Sequence, residues 1–332
     1  MKPAALILIA GVAWAATTVP RVREVNVYGL RKLTAERIMR SGRLRAGETL
    51  PPSKGDLEDR LSEISGVIRA RVEAVCCEGP DALLFVGIEE KDGPHVAFHS
   101  DPAGSAALPE GLAATYQQFL ATVQRAAQRK NAASATGPER PLISDAEARG
   151  FEEKFGDYAA GHLPELREVL RNGSDPEERA VAAAVIGYAP SKQEVIDDLQ
   201  YSMQDPDEAV RSNALRSLRA IAVFAQGEPG LQSRLTPTWP VELLNSIVLS
   251  DRLQAADLLI TLTDHENRAA LDQMRTQALP SLVEMARWES LGYALRPFLL
   301  VGRIAGLSDQ EIHERWSKGE REAVIEKALG KR

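Results

Sequence analysis

Three stretches near the N-terminus are predicted to form β-strands, and the first shows the alternation of apolar and polar residues that is typical of a half-buried strand. In the first, Val25 and Val27 lie on either side of a polar residue and Gly29 ends the run, which predicts a short half-buried strand. Two more strands are predicted at 67–77 and 82–90, on either side of a tight turn at 78–81.

Two helices are predicted between the first and second of these strands. Thr34 is a suitable N-cap for the first helix. Ser53 opens the second helix, and Asp56 follows three residues later, which is the spacing of a capping box. The apolar face of the second helix is formed by Leu57, Leu61 and Ile64. The order strand, helix, helix, strand, strand predicts an α+β domain at 21–91.

The C-terminal half repeats one pattern of large and small residues at a helical period. An arginine is followed after three residues by alanine and after four more by isoleucine or leucine, so the three positions share one helix face. The instances are Arg179/Ala182/Ile186, Arg211/Ala214/Leu218 and Arg252/Ala255/Leu259. The small residue lets a neighbouring helix approach closely. Because the arginines recur, from 179 to 211 and from 211 to 252, the pattern predicts stacked helical pairs at 145–332.

Two similar turns precede the first two of these patterns. Asp175-Pro176 and Asp205-Pro206 are each followed by acidic residues. An aspartate before a proline at the first helical position is a helix-start signal, and the acids favour the positive end of the helix. We therefore predict equivalent helix starts at the two sites.

A connector at 92–144 separates the two predicted domains. It contains a predicted amphipathic helix at 110–130 and a small-polar, flexible linker at 131–141. We expect the helix to pack on the first helical repeat or on the N-terminal domain. Contact with a membrane surface is the alternative, which the weakly basic polar face does not favour. The apolar stripe of the helix is formed by Leu112, Tyr116, Phe119 and Val123.

The first 16 residues have the outline of an export signal. Lys2 provides a positive start, residues 4–12 form a short apolar core, and residues 13–15 provide small side chains for a signal peptidase. The apolar core is shorter than the ~20 residues that span a bilayer. We expect a cleaved signal and a soluble, periplasmic protein. The alternative is an uncleaved segment that anchors the chain in the inner membrane.

Composition argues against one class of partner. The chain has 332 residues and a formal net charge of −7. A nucleic-acid-binding protein would need a basic patch or stripe, and neither half has one. We therefore expect no nucleic-acid partner. No motif indicates a cofactor, and none is expected.

Two small clusters have more than one chemical interpretation. Cys76 and Cys77 are adjacent, so a disulfide between them would be strained. Packing residues are the simpler interpretation, and a redox pair or an intermolecular disulfide is the alternative. His95 and His99 have aspartates nearby, but the flanking glycine and prolines oppose a helix there and closed metal sites take four well-placed ligands. We expect no bound metal.

The N-terminal segment resembles a POTRA domain. The similarity rests on V-x-V-x-G-L at 25–30, T-A-E-R-I at 34–38, G-E-T-L at 47–50 and G-V-I-R-A-R-V at 66–72. Such domains occur in outer-membrane assembly proteins, and a similar fold occurs in division proteins of the FtsQ type. The resemblance implies the order β-α-α-β-β and protein binding, often by addition of a peptide strand to an exposed edge strand. The edge implied here comprises Val67, Arg69, Arg71, Glu73 and Val75. The alternative is that its charges simply protect the edge from pairing.

The C-terminal half resembles HEAT repeats, including the HEAT-like repeats of phycobilin lyases. The resemblance rests on D-P-E-E-R-A-V-A-A-A-V-I at 175–186 and D-P-D-E-A-V-R-S-N-A-L-R-S-L at 205–218. It implies an all-α, armadillo-like solenoid in which the aspartate shapes the turn between helices and the arginine ties adjacent repeats together. The residues with these implied structural roles are Asp175, Arg179, Asp205, Arg211 and Arg252.

These features favour an exported adaptor of the bacterial envelope that binds proteins through both domains and has no catalytic site. Envelope or outer-membrane assembly components are the expected partners, and only the N-terminal segment would touch a membrane. The alternative is a lyase-type enzyme or a small-ligand-binding protein with a site on the concave face of the solenoid. An enzyme is the weaker alternative because the chain has no nucleophile motif, phosphate loop or metalloprotease motif.

Overall fold

The N-terminal part is built on a three-stranded mixed sheet. The computed structural model describes residues 19–78, 81–129, 134–135, 142–264 and 267–330. The sheet consists of β1 (Arg21–Tyr28), β2 (Val67–Glu78) and β3 (Asp81–Glu90), with β3 in the centre, parallel to β1 and antiparallel to β2. Two helices, α1 (Ala35–Gly42) and α2 (Lys54–Ser62), connect β1 to β2. This is the order of elements that the sequence predicts.

Both helices start at the predicted caps. The hydroxyl oxygen of Thr34 accepts a hydrogen bond from the backbone N–H of Arg37 (3.3 Å). The hydroxyl oxygen of Ser53 accepts one from the backbone N–H of Asp56 (3.2 Å). These bonds satisfy backbone donors that the first turn of a helix leaves without an intrahelical partner.

The sheet is buried on both faces, which differs from the half-buried strand predicted around Val25 and Val27. These valines pack toward α1 and α2, as expected for an apolar face. On the opposite face of β1, Glu24, Asn26 and Tyr28 are buried as well. The reason is that this face packs against the helical half of the chain. The alternate positions of the strand therefore lie in an interface rather than in solvent.

The remainder of the described chain is mainly helical. After α3 (Leu112–Gln128), the short strands β4 (Ser134–Ala135) and β5 (Leu142–Ile143) pair in antiparallel fashion. The helices that follow are α4 (Ala146–Gly161), α5 (Leu163–Asn172), α6 (Pro176–Ile186), α7 (Lys192–Ser202), α8 (Glu208–Ala225), α9 (Pro229–Gln232), α10 (Thr238–Leu243), α11 (Leu249–Leu262), α12 (Arg268–Gln277), α13 (Leu279–Ala286), α14 (Leu291–Ile304), α15 (Asp309–Ser317) and α16 (Arg321–Ala328).

The helices stack in two layers. In one layer, α4, α6, α8, α11 and α14 pack side by side in sequence order. The second layer includes α5 beside α7 and, further along, α10 beside α12. The alanines of the three arginine patterns, Ala182, Ala214 and Ala255, have no exposed surface, as close packing of neighbouring helices requires. The stacked helical pairs predicted from the repeat are confirmed.

The connector helix α3 packs on the beginning of this stack. It contacts α4 and α6, and the ring of Tyr116 lies 5.9 Å from that of Phe155. The first helical repeat is one of the two neighbours predicted for this helix.

Three predicted features lie outside the described residues. They are the export signal at 1–16, most of the linker at 131–141, and the side chains of Cys76 and Cys77. Across the described part of the chain, no helix combines the length and the apolar character that crossing a membrane requires.

Candidate functional site

Arg179 ties one helical pair to the next. Its side chain is 1% exposed and donates two hydrogen bonds of 2.9 Å to the carboxylate of Asp205. A third nitrogen donates to the carbonyl oxygens of Gly173 and Ser174, which precede its own helix (3.0 and 3.2 Å). One side chain therefore fixes both the turn before α6 and the turn before α8.

Arg211 repeats this arrangement one helical pair further on. It donates two hydrogen bonds of 2.9 Å to the carboxylate of Asp251. It also donates to the carbonyl oxygens of Asp205 and Pro206, both at 2.9 Å. Asp251 has no exposed surface and accepts a further bond from the hydroxyl of Ser246 (2.7 Å). A planar guanidinium that meets a carboxylate in this two-bond geometry is the favoured form of a buried ion pair.

Arg252 is the third arginine of the series, and it binds a glutamate rather than an aspartate. It donates to the carbonyl oxygen of Ser246 (2.5 Å) and to the carboxylate of Glu284 (3.2 Å). Its remaining terminal nitrogen has no hydrogen-bond partner within the described residues. Burial lowers the pKa of the Arg252 guanidinium below its usual value, and the negative charge of Glu284 opposes this. We call Arg179, Arg211 and Arg252 the arginine ladder.

The two Asp-Pro turns differ, contrary to the prediction that they are equivalent. Asp175 is the N-cap of α6, and its carboxylate accepts two backbone N–H groups of the first turn. The N-cap of α8 is Asp207 rather than Asp205. Asp205 lies two residues earlier, is 5% exposed and receives the guanidinium of Arg179. The same dipeptide therefore caps a helix at one site and binds the ladder at the other.

The last rung of the ladder lies at the junction with the N-terminal domain. The carboxylate of Glu284 that binds Arg252 also accepts the backbone N–H groups of Gly29 (2.9 Å) and Leu30 (3.2 Å). The guanidinium carbon of Arg252 lies 4.6 Å from the ring centre of Tyr28. Burial raises the pKa of the Tyr28 hydroxyl far above its usual value, so this side chain is a neutral donor.

Large side chains and one glycine bring the sheet close to the helices at this junction. The ring of Phe85 lies 5.1 Å from that of Trp288, which is 5% exposed. Gly87 faces the carbonyl oxygen of Ile247, and a Cβ atom at position 87 would lie 2.2 Å from that oxygen. The hydroxyl of Tyr28 donates to the same oxygen (2.7 Å). Only glycine permits this approach in the centre of β3.

Two carboxylates of the sheet, one buried and one half-buried, accept hydrogen bonds at the starts of solenoid helices. Glu24 accepts the backbone N–H groups of Glu289 (3.0 Å) and Ser290 (3.2 Å) just before α14. Glu73 accepts the N–H of Leu249 (3.1 Å), the first residue of α11. Negative groups are favoured at helix N-termini. Burial raises the pKa of Glu73, although the bond from Leu249 lowers it.

The outer edge of β2, which the sequence predicts to accept a peptide strand, is already bonded at its centre. The backbone N–H of Ala70 donates to the hydroxyl of Ser62 (3.1 Å), and that of Val72 donates to the carboxylate of Glu58 (2.6 Å). Both acceptors belong to α2. A peptide strand would have to displace these two bonds, so the edge does not match the free edge that the prediction requires.

The five predicted edge residues also lie in different surroundings. Val67 packs beneath α1 and α2, whereas Glu73 and Val75 lie at the junction with the helices. Arg71 is ion-paired with a glutamate at the start of α8 (2.6 Å). The side chain of Arg69 remains 60% exposed. Three of the five, Arg71, Glu73 and Val75, therefore contact the helical half of the chain.

A polar groove of about 610 Å³ lies where β2, the connector and the helical half meet, and we call it the composite groove. Arg69 lies in the wall formed by the N-terminal domain, and the turns at 206–208 and 245–248 form the opposite wall. Phe98 of the connector lies over the guanidinium of Arg211, 4.1 Å from its central carbon to the ring centre. Both of these residues line the groove, so the ladder contributes directly to its surface.

A second groove, of about 390 Å³, is lined mainly by apolar side chains of α3, α4, α6 and α8, and we call it the apolar groove. Phe155 is buried at its base, whereas Leu120 and Val223 on its two sides are each 41% exposed. Glu152 accepts hydrogen bonds from the hydroxyl of Tyr188 (2.8 Å) and from a backbone N–H of β5 (2.7 Å). Both carboxylate oxygens of Glu152 therefore have hydrogen-bond donors within the molecule.

The two histidines considered as metal ligands have separate partners. His95 contacts the carboxylate of Glu89 (Nδ1 to Oε1, 3.0 Å). His99 stacks on the ring of Tyr201 at a distance of 4.1 Å. Within the described residues, no three or more His, Cys, Asp and Glu side chains are grouped so that they could hold a metal ion.

The sequence reasoning missed the residues that join the two domains. Glu284 lies in no motif, and Tyr28 has no local feature that distinguishes it from other strand residues. One signal was available in β3, because the near-continuous apolar run from Leu83 to Val86 is typical of a strand buried on both faces. That run indicates a second packing partner but does not identify it.

Comparison with known proteins identifies the repeats but no relative of the whole chain. No curated protein and no solved structure matches it. The family model for HEAT repeats matches residues 163–237, which include α5 to α9 and the first two rungs of the ladder, Arg179 and Arg211. This part of the chain is therefore a HEAT-repeat segment within a larger helical stack.

Proposed function

We propose that this protein is an exported, non-catalytic adaptor of the bacterial envelope that binds other proteins. The observation that carries the proposal is the HEAT-repeat match at 163–237, because stacked repeats of this kind present extended surfaces for protein interaction. Helices α6 and α8 lie within this match and line the apolar groove. The turn before α8 also lines the composite groove.

The fixed position of the N-terminal domain supports this role. Hydrogen bonds to Glu284 and the packing of Phe85 on Trp288 hold the sheet against the helices. As a result, α2 and β2 form one wall of the composite groove and the solenoid forms the other. A partner that enters this groove would contact both domains at once. The resemblance of the N-terminal domain to POTRA domains, which bind proteins, supports the same role.

The proposed location rests on the first 16 residues. Their positive start, short apolar core and small residues are the features of an export signal. We place the protein in the periplasm, and in the inner membrane if the segment is not cleaved. The proposed partners are envelope or outer-membrane assembly components. Neither a nucleic acid nor a cofactor is part of the proposal.

Affinity capture from the cell envelope tests the proposal. The full chain is produced with a C-terminal tag in its native host, the cells are fractionated, and the N-terminus of the purified protein is sequenced. We expect the protein in the periplasmic fraction, with a new N-terminus that follows residue 16, and at least one envelope protein captured in a comparable molar amount. A cytoplasmic protein without a stoichiometric partner would contradict the proposal.

Two matched charge reversals show whether the partner uses the composite groove. Arg69→Glu changes a groove residue that is 60% exposed and ion-paired with Glu89. Arg40→Glu changes a residue of α1 that is 75% exposed and ion-paired with Glu36. Reduced capture by the first variant alone would assign the partner to this groove. Equal capture by both variants would exclude the groove as the binding surface.

A further inference from the structure

Two walls of the apolar groove carry side chains at the same helical spacing. The offsets i, i+3, i+4 and i+7 place four side chains on one face of a helix over about 10 Å. On α3 these positions are Tyr116, Phe119, Leu120 and Val123, and on α8 they are Arg216, Arg219, Ala220 and Val223. The groove therefore presents two helix faces, each about two turns long.

The space between these walls is open to solvent. Helices α3 and α8 meet where the amide nitrogen of Asn213 donates to the hydroxyl of Tyr116 (3.2 Å). Further along, Leu120 and Val223 are each 41% exposed. A volume of about 390 Å³ lies near the small end of the range for protein binding pockets. This size suits a few anchoring side chains rather than a large ligand.

The α8 wall also carries positive charge that the molecule only partly neutralises. Arg216 donates to a serine hydroxyl of its own helix (3.0 Å). Arg219 lies 3.6 Å from Asp257, but Arg296 binds this carboxylate more closely at 2.5 Å. Glu152 lies on α4 and is buried and hydrogen bonded. An acidic group on a ligand would complement the two exposed arginines.

We propose that the apolar groove binds an amphipathic helix of a partner protein, with apolar side chains at i, i+3, i+4 and i+7 and acidic side chains that face Arg216 and Arg219. This inference rests on the proposed function and names the element that would be recognised. A helix between α3 and α8 would bury Leu120 and Val223 and pair the arginines. The two exposed arginines, three positions apart on α8, favour a peptide with more than one acidic side chain over a lipid acyl chain with a single acidic group.

Site-specific photocrosslinking tests this inference on the full chain. In one form Val223 is replaced by p-benzoylphenylalanine, and in the matched control the same group replaces Leu329, which is 37% exposed outside the groove. Both forms are illuminated in an envelope extract of the native host, and the crosslinked peptides are identified by mass spectrometry. We expect position 223 to label a partner segment with the proposed apolar spacing and acidic residues. Position 329 should not label that segment.

Charge reversal provides a second criterion. The double variant Arg216→Glu/Arg219→Glu should lower the yield of the adduct at position 223 by about tenfold or more. Arg40→Glu, on the exposed surface of α1, should leave the yield unchanged. Both variants should retain the melting temperature of the wild type, because these arginines are exposed and surface ion pairs contribute little to stability.

The outcomes separate this inference from the proposed function. If a partner is captured in stoichiometric amount but position 223 labels no helical segment of it, the inference is wrong and the adaptor proposal stands. Labelling of a lipid, or of a second copy of this chain, would also overturn the inference. If no partner is captured, the adaptor proposal and this inference fail together.

Discussion

The guanidinium of Arg252 lies over the ring of Tyr28 at a distance of 4.6 Å, and neither side chain is exposed to solvent. Arg252 belongs to the helical half and Tyr28 to β1, so this contact joins the last rung of the arginine ladder to the N-terminal sheet. A desolvated contact of this kind is worth about 2 kcal/mol or more. Glu284 adds an ion pair to Arg252 and two hydrogen bonds to the backbone after Tyr28. We therefore expect the two domains to unfold and to act as one body.

Removing one member of the buried Arg211–Asp251 pair should cost far more stability than removing a surface pair. Arg211→Met leaves Asp251 buried without its cation, and we expect the free energy of unfolding to fall by about 3–5 kcal/mol. The double variant Arg211→Met/Asp251→Leu should recover much of this loss, because no buried charge then lacks a partner. Urea denaturation measures these differences.

The control for this prediction is Arg219→Met. The side chain of Arg219 is 50% exposed and lies 3.6 Å from Asp257. Its loss should change the free energy of unfolding by less than about 1 kcal/mol. Similar losses for Arg211→Met and Arg219→Met would show that the ladder does not stabilise the stack.

The two aspartates of the Asp-Pro turns should respond differently to the same substitution. Asp175→Ala removes an exposed helix cap, and we expect a loss of about 1 kcal/mol in the free energy of unfolding. Asp205→Ala leaves the buried guanidinium of Arg179 without its carboxylate, and we expect a loss of about 3–5 kcal/mol. Equal losses, measured by urea denaturation, would mean that the turns are equivalent after all.

Gly87→Ala should detach the N-terminal domain from the helices. The added methyl group would lie 2.2 Å from the carbonyl oxygen of Ile247 and 2.9 Å from the ring of Tyr28. We expect a larger radius of gyration in X-ray scattering and faster proteolysis of the connector, because the sheet can no longer approach the solenoid.

Gly55→Ala provides the matched control within the same domain. A Cβ atom at position 55, in α2, has no neighbouring atom within 4 Å. This substitution should raise the free energy of unfolding by about 0.4–1 kcal/mol and leave the radius of gyration unchanged. A compact Gly87→Ala variant, indistinguishable from Gly55→Ala in scattering, would contradict the proposed close approach at Ile247.

The stability of the N-terminal domain should depend on the ionisation of Glu90. Its carboxylate accepts the backbone N–H groups of Arg31, Lys32 and Leu33, each at 2.9 Å. Burial raises the pKa of Glu90, but the three bonds outweigh this effect and leave the pKa below its usual value. Because the pKa is lower in the folded than in the unfolded state, the stabilisation is complete above the unfolded value of about 4.3. It is lost as the pH falls through the folded-state pKa.

Glu90→Gln tests this dependence. At pH 7 we expect the free energy of unfolding to fall by about 1–3 kcal/mol. The difference from the wild type should shrink when urea denaturation is repeated near pH 3, because this pH lies below the unfolded-state pKa of about 4.3, where the stabilisation by ionised Glu90 is no longer complete. Glu36→Gln, at a carboxylate that is 79% exposed, should have little effect at either pH. A deficit for Glu90→Gln that is the same at both pH values would contradict the assignment.

Local patterns in the sequence predicted most elements of the fold because the causes of those elements are local. Thr34 and Ser53 cap their helices through hydrogen bonds to residues three positions away. The spacing of arginine, alanine and an apolar residue located α6, α8 and α11, because that spacing follows from the helical period. The HEAT-repeat match at 163–237 agrees with this result.

The partners of the ladder could not be predicted because they depend on contacts between distant positions. Arg179 binds a carboxylate 26 positions away, and Gly29 donates to the carboxylate of Glu284, 255 positions away. The Asp-Pro sequence is the same at Asp175 and Asp205, and the local difference that matters is Asp207, which caps α8 at the position where the first turn has Glu177. The occupied donors at the predicted β2 edge could not be predicted for a similar reason, since the backbone N–H groups of Ala70 and Val72 donate to side chains of α2.

Hydrogen exchange in urea tests most directly whether the two domains form one body. Amide protection is followed by mass spectrometry in peptides that cover β3 and α11, which meet at the junction. We predict that both peptides of the wild-type protein lose protection at the same urea concentration, and that β3 loses protection first in Gly87→Ala. Loss of protection in β3 of the wild type at a clearly lower urea concentration than in α11 would contradict the claim that the ladder and the junction unite the two domains.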